Sequence, residues 1–135
     1  MYSPKDILYI ISALSALEKI LIYTKGLDTP QSLLDANSQM NFNATSNLLI
    51  AIAEETKKTD KTLLQTQPEI HWQNLADMRN ILAHDYRGID PEIVFDVISN
   101  ELPQLKTALK QMLTLMPPDL VEAVLQTKQY NHLRD

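Results

Sequence analysis

The stretch Met78-Arg-Asn-Ile-Leu-Ala-His-Asp-Tyr-Arg-Gly-Ile-Asp-Pro91 decides how the chain is read. Met78 and Leu82 continue an apolar stripe begun by Trp72 and Leu75, at the spacing of one helix face. Gly88 supplies a helix stop, and Asp90-Pro91 supplies a new capped start. The same short span carries two arginines, a histidine, a tyrosine, an amide and carboxylates. No other segment is as dense in groups that transfer protons or hold an anion. Arg79, Asn80, His84 and Tyr86 are therefore the leading candidates for a functional site, with Arg87 beside them.

On a helix each residue turns by about 100°, which places Arg79 and Tyr86 on one face and turns His84 well away from Arg79. With Gly88 close by, the helix is expected to fray near His84, swinging His84 and Tyr86 into a turn beside Arg79. A histidine near a helix C-terminus also has its cationic form favoured by the dipole.

Working outward, Ser3-Pro4-Lys5-Asp6 reads as a first helix start, with Ser3 as cap, Pro4 at the first position and Asp6 near the positive end. Ile7, Ile10, Ile11, Leu14, Leu17 and Leu21 share a face of that helix, and Leu8 and Ile22 widen the stripe beyond what one small core needs. Gly26 ends it. Thr29-Pro30 starts a short helix with Leu33 and Leu34, and the Asn- and Ser-rich run Asn37 to Asn43 predicts a break. A long helix is expected from about Ala44 through Leu48, Leu49, Ile52 and Ala53 to Lys58, followed by a polar turn through Asp60. Pro68-Glu69-Ile70 reads as a short turn of helix before Trp72. Past Asp90-Pro91 the apolar pattern runs to Met112, with a kink expected near Asn100 because Pro103 falls inside it. Pro117-Pro118 stops it, and the tail adds a helix through Val121, Val124 and Leu125 before fraying. No alternating strand pattern and no repeat is present. The prediction is an all-α antiparallel bundle of four or five helices, with residues 1–116 as the domain and 117–135 as a helical extension or frayed tail.

Composition agrees. The 135 residues include only two glycines and no cysteine, with 44% hydrophobic and 21% charged residues, so a single helical globule is expected, without disulfides or thiolate metal sites. The net charge of −5 excludes a general nucleic-acid binder, since a phosphate backbone demands a basic surface. Any RNA contact must be local: Arg79, Arg87, and the Lys57, Lys58, Lys61 group. No apolar run reaches a membrane span and no secretory pattern opens the chain, so a cytoplasmic location without membrane contact is expected.

Each candidate has an ordinary alternative. Arg79 could be a surface residue paired with Asp77 or Asp85. His84 could cap a helix end, and Tyr86 could be a half-buried ring. Trp72 reads as a core anchor. His71 and His132 have no partner at metal-ligand spacing. Glu54-Glu55 reads as a solvated helix end, or Glu54 turns toward a cleft; Lys57-Lys58 reads as a soluble face, or as a phosphate contact. Convergence of several such groups in one turn is what favours a functional site.

Arg79, His84 and Tyr86 resemble the Arg-x4-His-x-Tyr motif of the HepT-like toxins in the HEPN superfamily. The flanks agree in order and spacing: Pro68-Glu-Ile-x-Trp72, Met78-Arg-Asn80, and Ile89-Asp-Pro91 followed by Ile93-Val94, with Leu48 to Glu54 resembling the preceding helix. The likeness runs from Ile7 to about Leu109. The chain departs from the family in having Ala53-Glu54-Glu55 in place of Gly-Glu-Ala, Asp77 in place of a glycine, and a longer tail. The resemblance implies a homodimer whose two motifs face one cleft, and a metal-independent endoribonuclease toxin with no cofactor, acting on RNA such as tRNA or mRNA. It implies an MntA-like nucleotidyltransferase antitoxin as partner, attaching AMP to Tyr86. In that reading Arg79, His84 and Asn80 are catalytic, and Tyr86, Arg87 and Glu54 are possible substrate contacts. The alternative is a non-catalytic, nucleotide- or partner-binding module that serves the transferase as partner and substrate.

Overall fold

Ser3 opens the first helix, α1 (Pro4–Tyr23), with a reciprocal cap: its hydroxyl accepts from the Lys5 amide at 3.2 Å, and its own amide donates to Asp6 at 3.0 Å. The computed structural model describes residues 3–84 and 88–134. Asp6 is buried, and its second carboxylate oxygen accepts from the Asp60 amide at 3.0 Å. One carboxylate thus ties the start of α1 to a turn more than fifty positions away, and its burial is tolerable because both oxygens are hydrogen-bonded.

Gly26, at a φ of 81°, makes the turn after α1. Thr29 caps α2 (Pro30–Asp35) in a second reciprocal box with Ser32. A tight 3-10 turn, Ala36–Gln39, follows, in which Asn37, Ser38 and Gln39 all have positive φ. The expected break is real but narrower, because α3 (Met40–Lys58) already begins at Met40 rather than near Ala44. Asn37 is suited to the left-handed region; Ser38 and Gln39 hold it at some cost. Asn41 anchors the junction by donating to the Tyr23 carbonyl at 2.7 Å.

Asp60 does more than end a polar turn. It caps a short helix, α4 (Lys61–Gln65), whose Leu63 is fully buried. Residues 68–70 form a turn with no helical segment, correcting the expectation there, since Pro68 supplies no amide and only Ile70 closes back, on the Gln67 carbonyl at 3.2 Å. The next helix, α5 (Trp72–His84), buries Leu75, Met78 and Leu82. Asp90 caps α6 (Pro91–Asp96), which passes through a π turn, Val97–Glu101, into α7 (Leu102–Thr114). The kink expected near Asn100 is this turn. It places Pro103 in the first turn of α7, where its missing amide costs no hydrogen bond. Finally α8 (Pro118–Leu125) lies against α1.

The core is one apolar cluster centred on α1, which packs against α3, α7 and α8. That central place explains much of the wide stripe: half of the helix, including Ala13, Ala16 and Ile20, is buried within one chain. Leu8 and Ile22 remain exposed. The tail past α8 is docked where fraying was expected. Tyr130 is buried and its hydroxyl meets that of Ser12 at 2.8 Å. Among the described residues there is no strand, and no helix is long and apolar enough to cross a membrane. The molecule is an all-α helical bundle, as its sequence predicts.

Candidate active site

The C-terminal half of α3 and the middle of α5 pack side by side, and where they meet the chain spends small residues. Ala53 on α3 and Ala76 on α5 form the floor of an open cleft of roughly 480 Å³. Its walls follow from helical spacing. Glu54 and the adjacent Lys57 and Lys58 project from successive turns of α3, and Gln73 and the adjacent Arg79 and Asn80 from α5 about two turns apart.

Arg79 is fixed at the centre. Its Nε and Nη2 both donate to Oε1 of Glu54, at 3.3 and 3.1 Å, and its Nη1 donates to Oδ1 of Asn80 at 3.3 Å. The pair stays wet, with the side chains 35% and 46% exposed. Such a pair adds little to stability, so its significance is geometric: it holds a planar, permanently charged fork at the mouth of a cleft. Of the ordinary readings of Arg79, pairing with Asp77 is not what occurs; Asp77 instead accepts from Gln73 at 3.0 Å.

The sequence-derived candidates thus divide. Arg79, Asn80 and Glu54 come together. His84 does not join them within one chain: α5 is helical up to and including it, and the rest of the expected fraying near His84 falls on residues outside the described ones. His84 is exposed, about 140° around the axis from Arg79 at 100° per residue, and does not line the cleft. Tyr86 and Arg87, with Asp85, lie outside the described residues, so the expected turn of Tyr86 beside Arg79 does too.

Sequence reasoning treated Lys57 chiefly as a soluble face and did not single out Gln73. Both border the cleft, and an adjoining hollow brings in Lys61 and Trp72. The available signal was the spacing of Gln73, Ala76 and Asn80 at steps of three and four, which puts two amides and a small residue between them on one face of α5. The opposite flank of α5 carries the other sign of charge. There a groove of roughly 460 Å³ toward α6 is lined by Asp77, Asp90, Glu92, Asp96 and Glu101, around exposed Ile81 and Ile93. The Glu101 carboxyl is pushed above its ordinary value, first by loss of surrounding water and then by Asp96, while His71 pulls the other way. Among the described residues, no three acidic or histidine side chains are grouped to hold a metal ion.

A part-exposed guanidinium aimed by a carboxylate and an amide, on the basic flank of an acidic protein, is suited to grip a phosphate that displaces the carboxylate. Comparison with known proteins points the same way. No solved structure matches the chain. The chain is similar to a protein named "Probable ribonuclease HepT" from Thermococcus cleftensis, 28% identical over 110 residues, covering 82% of this chain and 96% of that one. It is similar to two provisionally named RNases of Methanocaldococcus jannaschii. One is 28% identical over 105 residues, covering 78% of this chain and 88% of the relative. The other is 27% identical over 95 residues, covering 70% and 76%. The family described as "Ribonuclease HepT-like" matches residues 13–112, a span that holds the whole α3–α5 cleft, and this chain belongs to that family.

Proposed function

We propose that the chain is a metal-independent endoribonuclease, the toxin of a toxin–antitoxin pair, acting as a homodimer. The observation that carries this reading is the Arg79 fork, held by Glu54 and Asn80 at the mouth of an open cleft. RNA brings its own nucleophile. His84 removes the 2′-hydroxyl proton, the freed oxygen attacks phosphorus, and a pentacovalent phosphorane forms. Arg79 spreads the growing charge over two N–H donors, and Asn80 fixes the fork or a phosphate oxygen. A second imidazolium protonates the departing 5′-oxygen, leaving a 2′,3′-cyclic phosphate and a 5′-hydroxyl.

One helix cannot turn Arg79 and His84 toward the same point, since they lie about 140° apart around α5. A second copy resolves this by bringing another histidine and another arginine to a shared cleft. A nucleotidyltransferase antitoxin silences the toxin by attaching AMP to Tyr86. The added anion would occupy and repel the site where the RNA phosphate sits.

The acidity of the chain, with a net charge of −5, favours a second reading in which the chain is a non-catalytic partner of the transferase. Expression of the chain alone in a bacterium separates the two. Growth arrest with cut RNA, lost on His84→Ala, is expected. Harmless expression with intact RNA overturns the nuclease reading. Intact-mass measurement after coexpression with the transferase is expected to show one AMP, absent from Tyr86→Phe.

A further inference from the structure

The Arg79 cleft does not end at Arg79. The α3–α5 seam continues into a second hollow of roughly 220 Å³, and Ala53, Lys57, Gln73 and Ala76 border both. The two form one track. Its far end is built by Lys61, the first residue of α4, and by Trp72, the first of α5. The Trp72 indole N–H donates to the Leu64 carbonyl at 3.0 Å, which fixes the ring against α4 while part of it stays exposed. Lys57 and Lys61 are both exposed, and neither pairs with a carboxylate among the described residues. Lys58, by contrast, is taken up by Glu55 at 3.4 Å and lies 5.8 Å from the Tyr9 ring.

Two unpaired cations and a fixed aromatic ring on a chain of net charge −5 form a local exception to its acidity. The acidic α5–α6 groove closes the other flank to a polyanion. We infer that the track from Arg79 to Lys61 binds the nucleotides flanking the scissile phosphate of single-stranded RNA. Lys57 and Lys61 take backbone phosphates, and Trp72 with Gln73 receives an unpaired base. Unpaired RNA is specified because a base reaches an aromatic face only when splayed from its partner, and stacking there tolerates any sequence. This inference rests on the nuclease reading of Arg79, and it names the substrate's form and path.

Trp72 is the only tryptophan, so its emission reports this groove alone. The test titrates the full chain with a labelled 2′-O-methyl oligonucleotide, which has no hydroxyl to attack. Anisotropy and Trp72 emission are followed across a salt series. Saturable binding is expected, with both signals sharing one midpoint. Lys57→Ala/Lys61→Ala is expected to weaken binding on the order of ten-fold and flatten the log–log salt slope by about 1.4, for two lost phosphate contacts at ~0.7 each. Lys57→Arg/Lys61→Arg is expected to restore both, and circular dichroism to show all variants folded. Binding that neither moves Trp72 emission nor weakens in the alanine variant overturns the track and leaves the nuclease reading standing. No binding by the wild-type chain overturns both.

Discussion

Arg79 gives two of its donors to a single oxygen of Glu54, at 3.3 and 3.1 Å, although the two residues lie on different helices. The carboxylate occupies the edge of the fork that a phosphate needs. It therefore has two opposed effects: it aims Arg79, and it competes with substrate charge.

Substitution separates these effects. Glu54→Gln keeps an oxygen acceptor but removes the competing charge, so KM for RNA is expected to fall a few-fold with kcat nearly unchanged. Glu54→Ala removes the acceptor as well and frees the long Arg79 side chain, so kcat is expected to drop about ten-fold, in keeping with mispositioned catalytic groups. Both variants are expected to unfold within about 1 kcal/mol of wild type, because the pair is partly exposed and solvent-screened. Steady-state kinetics with a urea melt checks all three; equal kcat losses in both variants would contradict the positioning role.

The C-terminal segment, beyond the family match that ends at residue 112, is a structural part of the bundle. One of its links, beside the packing of α8 on α1, is the hydroxyl pair Ser12–Tyr130 at 2.8 Å. Tyr130→Phe is expected to cost about 1 kcal/mol, as for an ordinary net hydrogen bond. Adding Ser12→Ala to that variant is expected to cost much less than Ser12→Ala alone, since the partner is already gone. Additive losses in chemical denaturation would contradict the contact.

Glu101 gives a pH signature. Its folded pKa is raised above the ordinary 4.5, so the folded state holds the proton more tightly than the unfolded chain. The stabilising contribution is full below the unfolded value and is lost as pH rises through the folded one. Glu101→Gln is therefore expected to stabilise the protein at pH 7, with the gain shrinking as pH falls toward 4. Thermal unfolding across that range checks the sign; a gain that grows on acidification would contradict it.

Much of the fold was legible because caps are local chemistry. Ser3-Pro4, Thr29-Pro30 and Asp90-Pro91 each start a helix where their side chains can accept an amide. The short α4 was missed because its apolar content is Leu63 and Leu64 alone, too brief for a periodic signal. Half of the site was legible too. Arg79 and Asn80 are neighbours in sequence, but Glu54 and Lys57 reach them only through the register of α3 against α5, which no local pattern encodes. His84 shows the converse: proximity in sequence to Arg79 does not bring it to the same side of a helix that persists to its end.

The most direct test of the account is RNA cleavage by the purified chain in excess EDTA, with the products' 3′ ends identified. Cleavage is expected to persist and to leave 2′,3′-cyclic phosphates, and Arg79→Ala and His84→Ala are expected to lose at least about 100-fold in kcat, the scale of a missing acid–base or charge-stabilising group. Cleavage that stops in EDTA and returns with a divalent metal, or that survives both substitutions, would contradict it.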